Sequence, residues 1–430
     1  MKIFDKIEQV VFWLYEVLFR REPAGNTKIF IKNFNYIAIG FGLSAIFGFI
    51  TQILMGRFLG PEGYGKYGLV QSLSLFLYIP MSLGIGTAMV KYNAEEDDIK
   101  RQTAIISTSL LICAVLSVVS FFVLFVFSAQ ISKIFGVTSS LMLYAIFFAL
   151  FYNMHVFGTE ALRGLHKMKE LSIFQAFDGF LMLVLILFFI LTKNFSFEIS
   201  VYVAFITYFA IFLSIIFYLR KYLSFLADTV WLRKIIKYGA FATVGAAAYV
   251  FLLNFNKILV NKYLTIDDVG IYNAYYFAST GILSVLLGMF VTVFFPMASR
   301  HKDKKSILKK IDEFMPYLFL IGVPFFFIIE FIILKLYGNK YPIDVYLMTE
   351  FVVTGILIVC YNLYDYLFAS HGILGIKLVA QSGIVMVLFN VILGFYLIPL
   401  FGLHGAIISL GASYLLGISV YGFLRKKIIY

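Results

Sequence analysis

Runs of about 20 apolar residues recur along the whole chain and constrain its fold more than any other feature. As an α-helix, a run of that length crosses the hydrocarbon core of a bilayer. The composition agrees, because hydrophobic residues make up 62% of the chain and charged residues only 13%. A soluble chain with so little charge would expose large apolar patches and aggregate. The sequence therefore predicts an all-α fold, a polytopic bundle of transmembrane helices.

Twelve such spans are predicted, separated by connectors that carry Pro, Gly, Asn and charged residues. The connectors are about 20 residues or shorter, too short to fold as a separate domain. The segment before the first span mixes apolar and charged residues, so we expect an amphipathic helix on the membrane surface. The predicted spans, numbered 1 to 12, are 32–56, 66–90, 104–128, 140–162, 171–192, 198–219, 237–261, 271–298, 314–335, 345–368, 376–398 and 403–424.

Lysine and arginine are unevenly distributed between the two sides of the predicted bundle. With the N-terminus on the inner side, 27 of the 35 Lys and Arg residues fall on inner connectors and 8 on outer ones. Cytoplasmic connectors of membrane proteins carry an excess of basic residues. The split predicts a multi-pass protein of the cytoplasmic membrane with both termini cytoplasmic. The net charge of +12 then reflects topology, and no nucleic-acid partner is predicted.

The chain also contains an internal repeat. Residues 53–59 match residues 258–264 at an offset of 205, and the same offset pairs Gly65 with Gly270. Because each half holds an even number of spans, the halves share one orientation, and transporters built this way bind substrate between their halves. We expect two pseudo-symmetric six-helix lobes around a central cavity. The predicted divisions are a surface segment at 1–31, a first lobe at 32–220 and a second lobe at 221–430.

Three segments resemble the polysaccharide transport (Wzx-type) family. These flippases for lipid-linked oligosaccharides belong to the multidrug/oligosaccharidyl-lipid/polysaccharide exporter superfamily. The resemblance implies a V-shaped pair of six-helix bundles, alternating access, and export of a glycan linked to polyprenyl phosphate or diphosphate. It also implies membrane lipids and glycan polymerase or transferase machinery as partners. The segments are 56–67 (Gly-Arg-Phe-Leu-Gly-Pro-Glu-Gly-Tyr-Gly-Lys-Tyr), 163–169, and 256–259 with 269–272.

Span 7 carries the clearest candidates for substrate binding. Asn254, Lys257 and Asn261 are spaced i, i+3 and i+7, so they share one helix face. An anionic phosphate requires fixed cations, and ionisable residues at membrane depth usually face the bundle interior or water. The alternative for Lys257 is a side chain that snorkels to the interface. The other candidates are Arg57, Lys262, Gln52, Asn256, Gln71 and Tyr78; members of the family often carry Asp where Asn256 stands, so no carboxylate role is carried over.

Three further residues are candidates for ion coupling: His155, Asp178 and Asp365, all inside predicted spans. Buried ionisable groups of this kind mark proton relays and ion pathways. Proton and sodium are both candidate coupling ions. Cys113 and Cys360 fall inside apolar runs and are interpreted as buried thiols, so no metal site and no cofactor are predicted.

Four functions compete for this chain. A lipid-linked oligosaccharide flippase is the first, and a drug or metabolite antiporter of the same superfamily is the second. A flippase for the peptidoglycan precursor is disfavoured, because such proteins resemble longer, fourteen-helix chains. A membrane glycosyltransferase or polymerase is the least favoured, because the outer connectors are short and no zinc motif, phosphate loop or nucleophile elbow is found. We therefore predict a transporter and not an enzyme, with no catalytic residues.

Overall fold

The computed structural model describes residues 25–224, 228–288, 290–291, 304–371 and 373–428. Of the predicted surface segment 1–31, residues 1–24 lie outside this described part. A 3-10 turn occupies Arg220–Tyr222, and a π-helical turn occupies Phe277–Gly281. The helices are α1 (Gly25–Ser82), α2 (Ile85–Ala94), α3 (Ile99–Val126), α4 (Ser128–Phe135), α5 (Ser139–Gly164), α6 (Met168–Leu191), α7 (Phe197–Tyr218), α8 (Thr229–Tyr263), α9 (Ile266–Tyr276), α10 (Lys304–Tyr337), α11 (Val345–Ala369) and α12 (Ile373–Ile428).

Nine helices in the described part are long and apolar enough to cross a membrane. Two of them, α1 and α12, are each two spans joined at a glycine with positive φ: Gly60 at 71° and Gly402 at 60°. Glycine adopts this conformation without the steric cost that a Cβ brings. Predicted spans 1 and 2 are therefore two helices that follow each other directly, with the chain turning at the non-helical Gly60, and spans 11 and 12 are joined in the same way at Gly402.

Two predicted spans differ from the observed helices. Span 2 was expected to continue to residue 90, but α1 ends at Ser82 and α2 begins at Ile85. Gly84 between them has a φ of 62° and lies against the backbone of α8 at Gly239. Span 8 is assembled from α9, the π-helical turn and a helical segment at 282–288, and its predicted end at 298 lies beyond the described residues.

Six of the twelve helices described above begin at a polar residue whose side chain accepts a hydrogen bond from a free backbone N–H of the first turn. Such caps satisfy donors that have no partner within the helix. At α9 the cap is reciprocal, because Thr265 and Asp268 each bond to the other's backbone. The capping residues are Asp98, Thr138, Ser196, Asp228, Thr265 and Asp344.

The helices pack as two halves, α1–α7 and α8–α12. In the first half α1 packs against α5 and α6, and in the second α12 packs against α11 and α8. The halves meet where α1 contacts α8 and α9, and where α2 and α3 contact α8. We call the side of the bundle with the Gly60 bend the Gly60 end, and the side with the 3-10 turn the Arg220 end.

Candidate functional site

Two glycines bring the halves into backbone contact at the Gly60 end. A Cβ added at Gly65 would overlap the carbonyl oxygen of Ile266, and one added at Gly270 would overlap the carbonyl oxygen of Pro61. Gly65 and Gly270 are repeat partners, and so are Pro61 and Ile266. The contact is thus symmetric about the pseudo-two-fold axis. No side chain larger than hydrogen fits at either glycine while the helices stay this close.

A cluster of tyrosines extends this contact. Tyr64 donates a hydrogen bond to Gln52 Oε1 at 2.9 Å, and its hydroxyl lies 3.2 Å from that of Tyr337 on α10. Tyr341, in the connector after α10, donates to the carbonyl oxygen of Gly56 at 2.9 Å. Burial raises the pKa of the Tyr341 phenol, which keeps it a neutral donor. The first half is therefore bonded to the second through buried phenols.

Lys257 lies just inside this junction. Its side chain is on α8, is 7% exposed, and places Nζ 5.2 Å from the ring centroid of Tyr276. Within the described residues, no carboxylate lies within 4.0 Å of the ammonium. A buried charge is costly unless it is paired, and a ring face provides only weak compensation. The site is therefore suited to an anion supplied from outside the protein.

The neighbours of Lys257 on its helix face point to the first half. Asn254 Oδ1 accepts a hydrogen bond from Ser72 at 3.2 Å, and Asn261 Nδ2 donates to the carbonyl oxygen of Gly136 at 2.9 Å. The exposed Arg57 donates to the carbonyl oxygen of Leu336 at 3.3 Å. Arg57, Asn254 and Asn261 thus bond across the boundary between the halves, whereas Gln52 and Lys257 contact Tyr64 and Tyr276 of their own halves.

A second polar group lies inside the first half. His155 on α5 and Asp178 on α6 are brought together, with Nε2 and Oδ2 3.9 Å apart. His155 Nδ1 and Asp178 Oδ1 are both buried without a hydrogen-bond partner in the described structure. The ring of Tyr208 lies 5.0 Å from that of His155. Two of the three residues predicted for ion coupling therefore form one site.

Gln71 and Tyr78 also lie in the first half, away from Lys257. Gln71 donates to the hydroxyl of Tyr67 at 3.4 Å, and Tyr78 packs edge-on against Tyr152 with 5.4 Å between ring centroids. Both side chains are half-buried. The contact of Gln71 thus lies within α1, whereas Tyr78 packs between α1 and α5.

Three predicted residues are placed apart from both sites. Asn256 is buried inside the second half, where it bonds to Asn390, Ser409 and the carbonyl oxygen of Ala406. Asp365 accepts a hydrogen bond from Tyr421 at 2.6 Å. Lys262 is exposed at the Gly60 end, over the rings of Tyr263 and Phe395.

Comparison with known proteins identifies the family. The sequence profile described as "Polysaccharide biosynthesis protein" matches residues 30–302. The chain belongs to this family. No curated protein sequence matches it significantly. The family match and the nine candidate spans in the described residues make this chain a multi-pass membrane protein of that family.

Several solved transporters share the fold of this family member. An inward-facing multidrug resistance transporter of the MATE family and MOP superfamily is 15% identical, with a TM-score of 0.69 over 90% of this chain and 94% of that one. The outward-facing form is 15% identical, with a TM-score of 0.60 over 93% and 95%. A MOP superfamily transporter from Pyrococcus furiosus, described as having a binding pocket of reversed polarity, is 14% identical, with a TM-score of 0.63 over 93% and 95%. The predicted all-α membrane bundle in two lobes is confirmed for the described residues.

Sequence reasoning did not identify the tyrosine cluster as part of the site. Tyr64 lies within a segment that resembles the family, but Tyr337 and Tyr341 were interpreted only as part of a connector. Nothing in the local pattern distinguishes a buried tyrosine at a helix end from one at the headgroup level. The distinction depends on α10 packing against α1, residues about 280 positions apart in sequence.

Proposed function

We propose that this protein is a flippase that moves polyprenyl-phosphate-linked or diphosphate-linked oligosaccharide across the cytoplasmic membrane by alternating access. The observation that carries the proposal is the buried ammonium of Lys257, which has no carboxylate within 4.0 Å among the described residues and lies on the helix face whose Asn254 and Asn261 bond to the other half. Membership of a polysaccharide biosynthesis family supports a glycan as cargo.

The cargo has three chemically different parts, and each needs a different environment. The sugar head loses its hydration in hydrocarbon without replacement, so it requires a polar path between the lobes. The phosphate requires a cation, which Lys257 supplies. The amides of Gln52, Asn254 and Asn261 lie on the same boundary and can exchange their present bonds for bonds to sugar hydroxyls. The lipid tail remains in the bilayer.

The distribution of basic residues supports placing the Arg220 end in the cytoplasm and the Gly60 end outside. In this conformation the glycine contact and the tyrosine cluster close the path at the Gly60 end. The cargo would then load from the cytoplasmic side. Release would require the Gly65–Gly270 contact and the Tyr64–Tyr337 bond to separate.

We assign ion coupling to the site formed by His155 and Asp178. Both groups have buried atoms without partners, so a change in protonation alters the stability of this packing. The site pairs an imidazole with a carboxyl group, and both groups can bind and release a proton. The arrangement therefore favours a proton over sodium.

A vesicle assay with a matched pair of variants tests the cargo site. Reconstituted protein is given a fluorescent polyprenyl-diphosphate oligosaccharide, and a membrane-impermeant quencher reports translocation. Lys257→Gln removes the buried cation, whereas Lys262→Gln removes an exposed cation from the same helix. We expect Lys257→Gln to slow translocation about tenfold or more, since a charge-assisted hydrogen bond contributes about 1.5–3 kcal/mol. Lys262→Gln should match wild type.

Two other outcomes contradict parts of the proposal. If both variants flip the lipid like wild type, the function stands but Lys257 does not bind cargo. If wild type does not exceed empty vesicles under imposed proton or sodium gradients, the flippase function is wrong. Gradient-driven export of a cationic dye would then favour the antiporter.

A further inference from the structure

Glu330 is a fully buried carboxyl group that the proposed function does not use. It lies on α10 with 0% of its surface exposed. Neither carboxyl oxygen has a hydrogen-bond partner in the described structure. No basic side chain of the described residues lies within 4.0 Å of it. Among the buried carboxyl groups of the described chain, it alone leaves both oxygens without a partner.

Several ionisable groups on the elements packed against α10 are bonded elsewhere, whereas the buried hydroxyl of Tyr272 on α9 has no partner in the described structure. On α9, Tyr275 is the group electrostatically coupled to Glu330, but its hydroxyl donates to the carbonyl oxygen of Pro342 at 2.6 Å. On α1, Arg57 donates to a backbone carbonyl of α10. On α11, Glu350 bonds to a histidine of α12 at 2.8 Å. On α10 itself, Lys335 lies over the ring of Phe331.

We propose that Glu330 is a proton-binding site, occupied in this conformation. An ionised carboxylate without donors or a counter-ion is strongly disfavoured in an apolar interior, whereas the carboxylic acid is uncharged. A metal ion does not fit, because hard cations require several oxygen ligands and the described surroundings supply only this carboxyl group.

The position of Glu330 connects the site to the junction at the Gly60 end. Tyr337, which bonds to Tyr64 across the halves, is seven residues further along α10 and so lies on the same helix face about two turns away. When the junction separates, α10 loses its contact with α1 and water can reach Glu330. The carboxylic O–H then breaks, the proton passes to water, and a hydrated carboxylate remains. The release of the proton during transport rests on the proposed alternating-access function. The protonation of Glu330 in this conformation does not.

Infrared difference spectroscopy on the purified protein tests the occupancy without any cargo. A protonated carboxyl has a C=O stretch that is separate from the carboxylate bands. Subtracting the spectrum of Glu330→Gln from that of wild type at neutral pH should leave a protonated carboxyl band. The matched control is Glu313→Gln, a change at an exposed residue of the same helix that pairs with Lys309 at 3.8 Å. Subtracting the spectrum of this variant from that of wild type should leave carboxylate bands. If the Glu330 difference contains carboxylate bands instead, the proposal is overturned.

A vesicle experiment tests the role in coupling. An imposed proton gradient should accelerate translocation by Glu330→Gln less than by wild type and by Glu313→Gln, because the variant keeps the His155–Asp178 site but loses the carboxyl group of Glu330. Equal acceleration of Glu330→Gln would overturn the coupling role. If no cargo is moved by any variant, the flippase function fails, while the infrared result still decides the state of Glu330.

Discussion

At the scale of single residues, Asn256 and Lys257 show how adjacent positions on one helix serve different purposes. Successive residues of an α-helix are about 100° apart around its axis, so the two side chains leave α8 in different directions. Asn256 is hydrogen-bonded inside the second half, whereas the ammonium of Lys257 lies over the ring of Tyr276 and has no carboxylate within 4.0 Å among the described residues. Buried polar groups are normally hydrogen-bonded. Asn256 follows this rule, so Lys257 is the better candidate for binding an anionic substrate.

The hydrogen bonds of Asn256 predict that Asn256→Asp lowers stability more than the same change at Asn254. Asn256→Asp replaces an amide donor that faces the carbonyl oxygen of Ala406 at 2.8 Å with an oxygen. We expect a loss of about 1–3 kcal/mol of stability, because a buried acceptor then faces another acceptor. Thermal unfolding in detergent measures the loss. The control is Asn254→Asp, a half-buried residue of the same helix, which should have a smaller effect; equal effects would contradict the network's role.

Part of this site was predictable from residue spacing, and part was not. The i, i+3, i+7 rule places Asn254, Lys257 and Asn261 on one face, and in the structure Asn254 and Asn261 bond to the other half while Lys257 lies buried over Tyr276. Glu330 is not among the sequence candidates, because it falls near the end of predicted span 9 at residue 335. In fact α10 continues to Tyr337 and buries Glu330 against helices distant in sequence. Apolar periodicity does not reveal what a buried carboxyl group packs against.

At the scale of helices, the contact of Gly65 with Gly270 controls how closely α1 and α9 approach. Glycine allows two helix backbones to touch, and small residues are common at such crossings in membranes. The other glycines of α1 do not all have this role, because a Cβ added at Gly48 would meet nothing within 4 Å. Position in the fold, and not residue type alone, determines the effect of substitution.

Alanine substitution at the contact should force the helices apart. Gly65→Ala and Gly270→Ala should each destabilise the protein by about 1–3 kcal/mol, since overpacking shifts the backbone. The double variant should cost less than the sum, because both residues form one contact. Thermal unfolding midpoints test this, with Gly48→Ala as the control that leaves the midpoint unchanged. Additive losses would indicate two independent contacts.

The helices themselves were largely predictable, because the bilayer sets the length of each apolar run. The bends at Gly60 and Gly402 occur at Gly-containing connectors that the sequence marks. The π-helical turn at Phe277–Gly281 and the break at Gly84 were not predicted. Both depend on packing. The break at Gly84 lies against the backbone of α8, and the π-helical turn contacts α10 and α11.

At the scale of the whole molecule, the predicted orientation places the Gly60 end outside the cell. Four exposed lysines report on it: Lys133 and Lys193 at the Gly60 end, and Lys100 and Lys221 at the Arg220 end. Changed singly to cysteine, the first two should react in intact cells with a membrane-impermeant thiol reagent, and the last two only after lysis. The native Cys113 and Cys360 are buried and give a low background. The opposite labelling pattern would reverse the orientation.

The glycine contact relates the two halves by the repeat, yet the halves carry different residues at the Lys257 position. A homodimer built from one half would carry the same residue on both sides of its axis, so a lysine at the Lys257 position would bring two ammonium groups to one chamber. In the single chain, the repeat partner of Lys257 is the neutral Gln52. Because both halves belong to one chain, one half can carry the lysine and the other a neutral glutamine. One cation per chamber suits one anionic head group at a time.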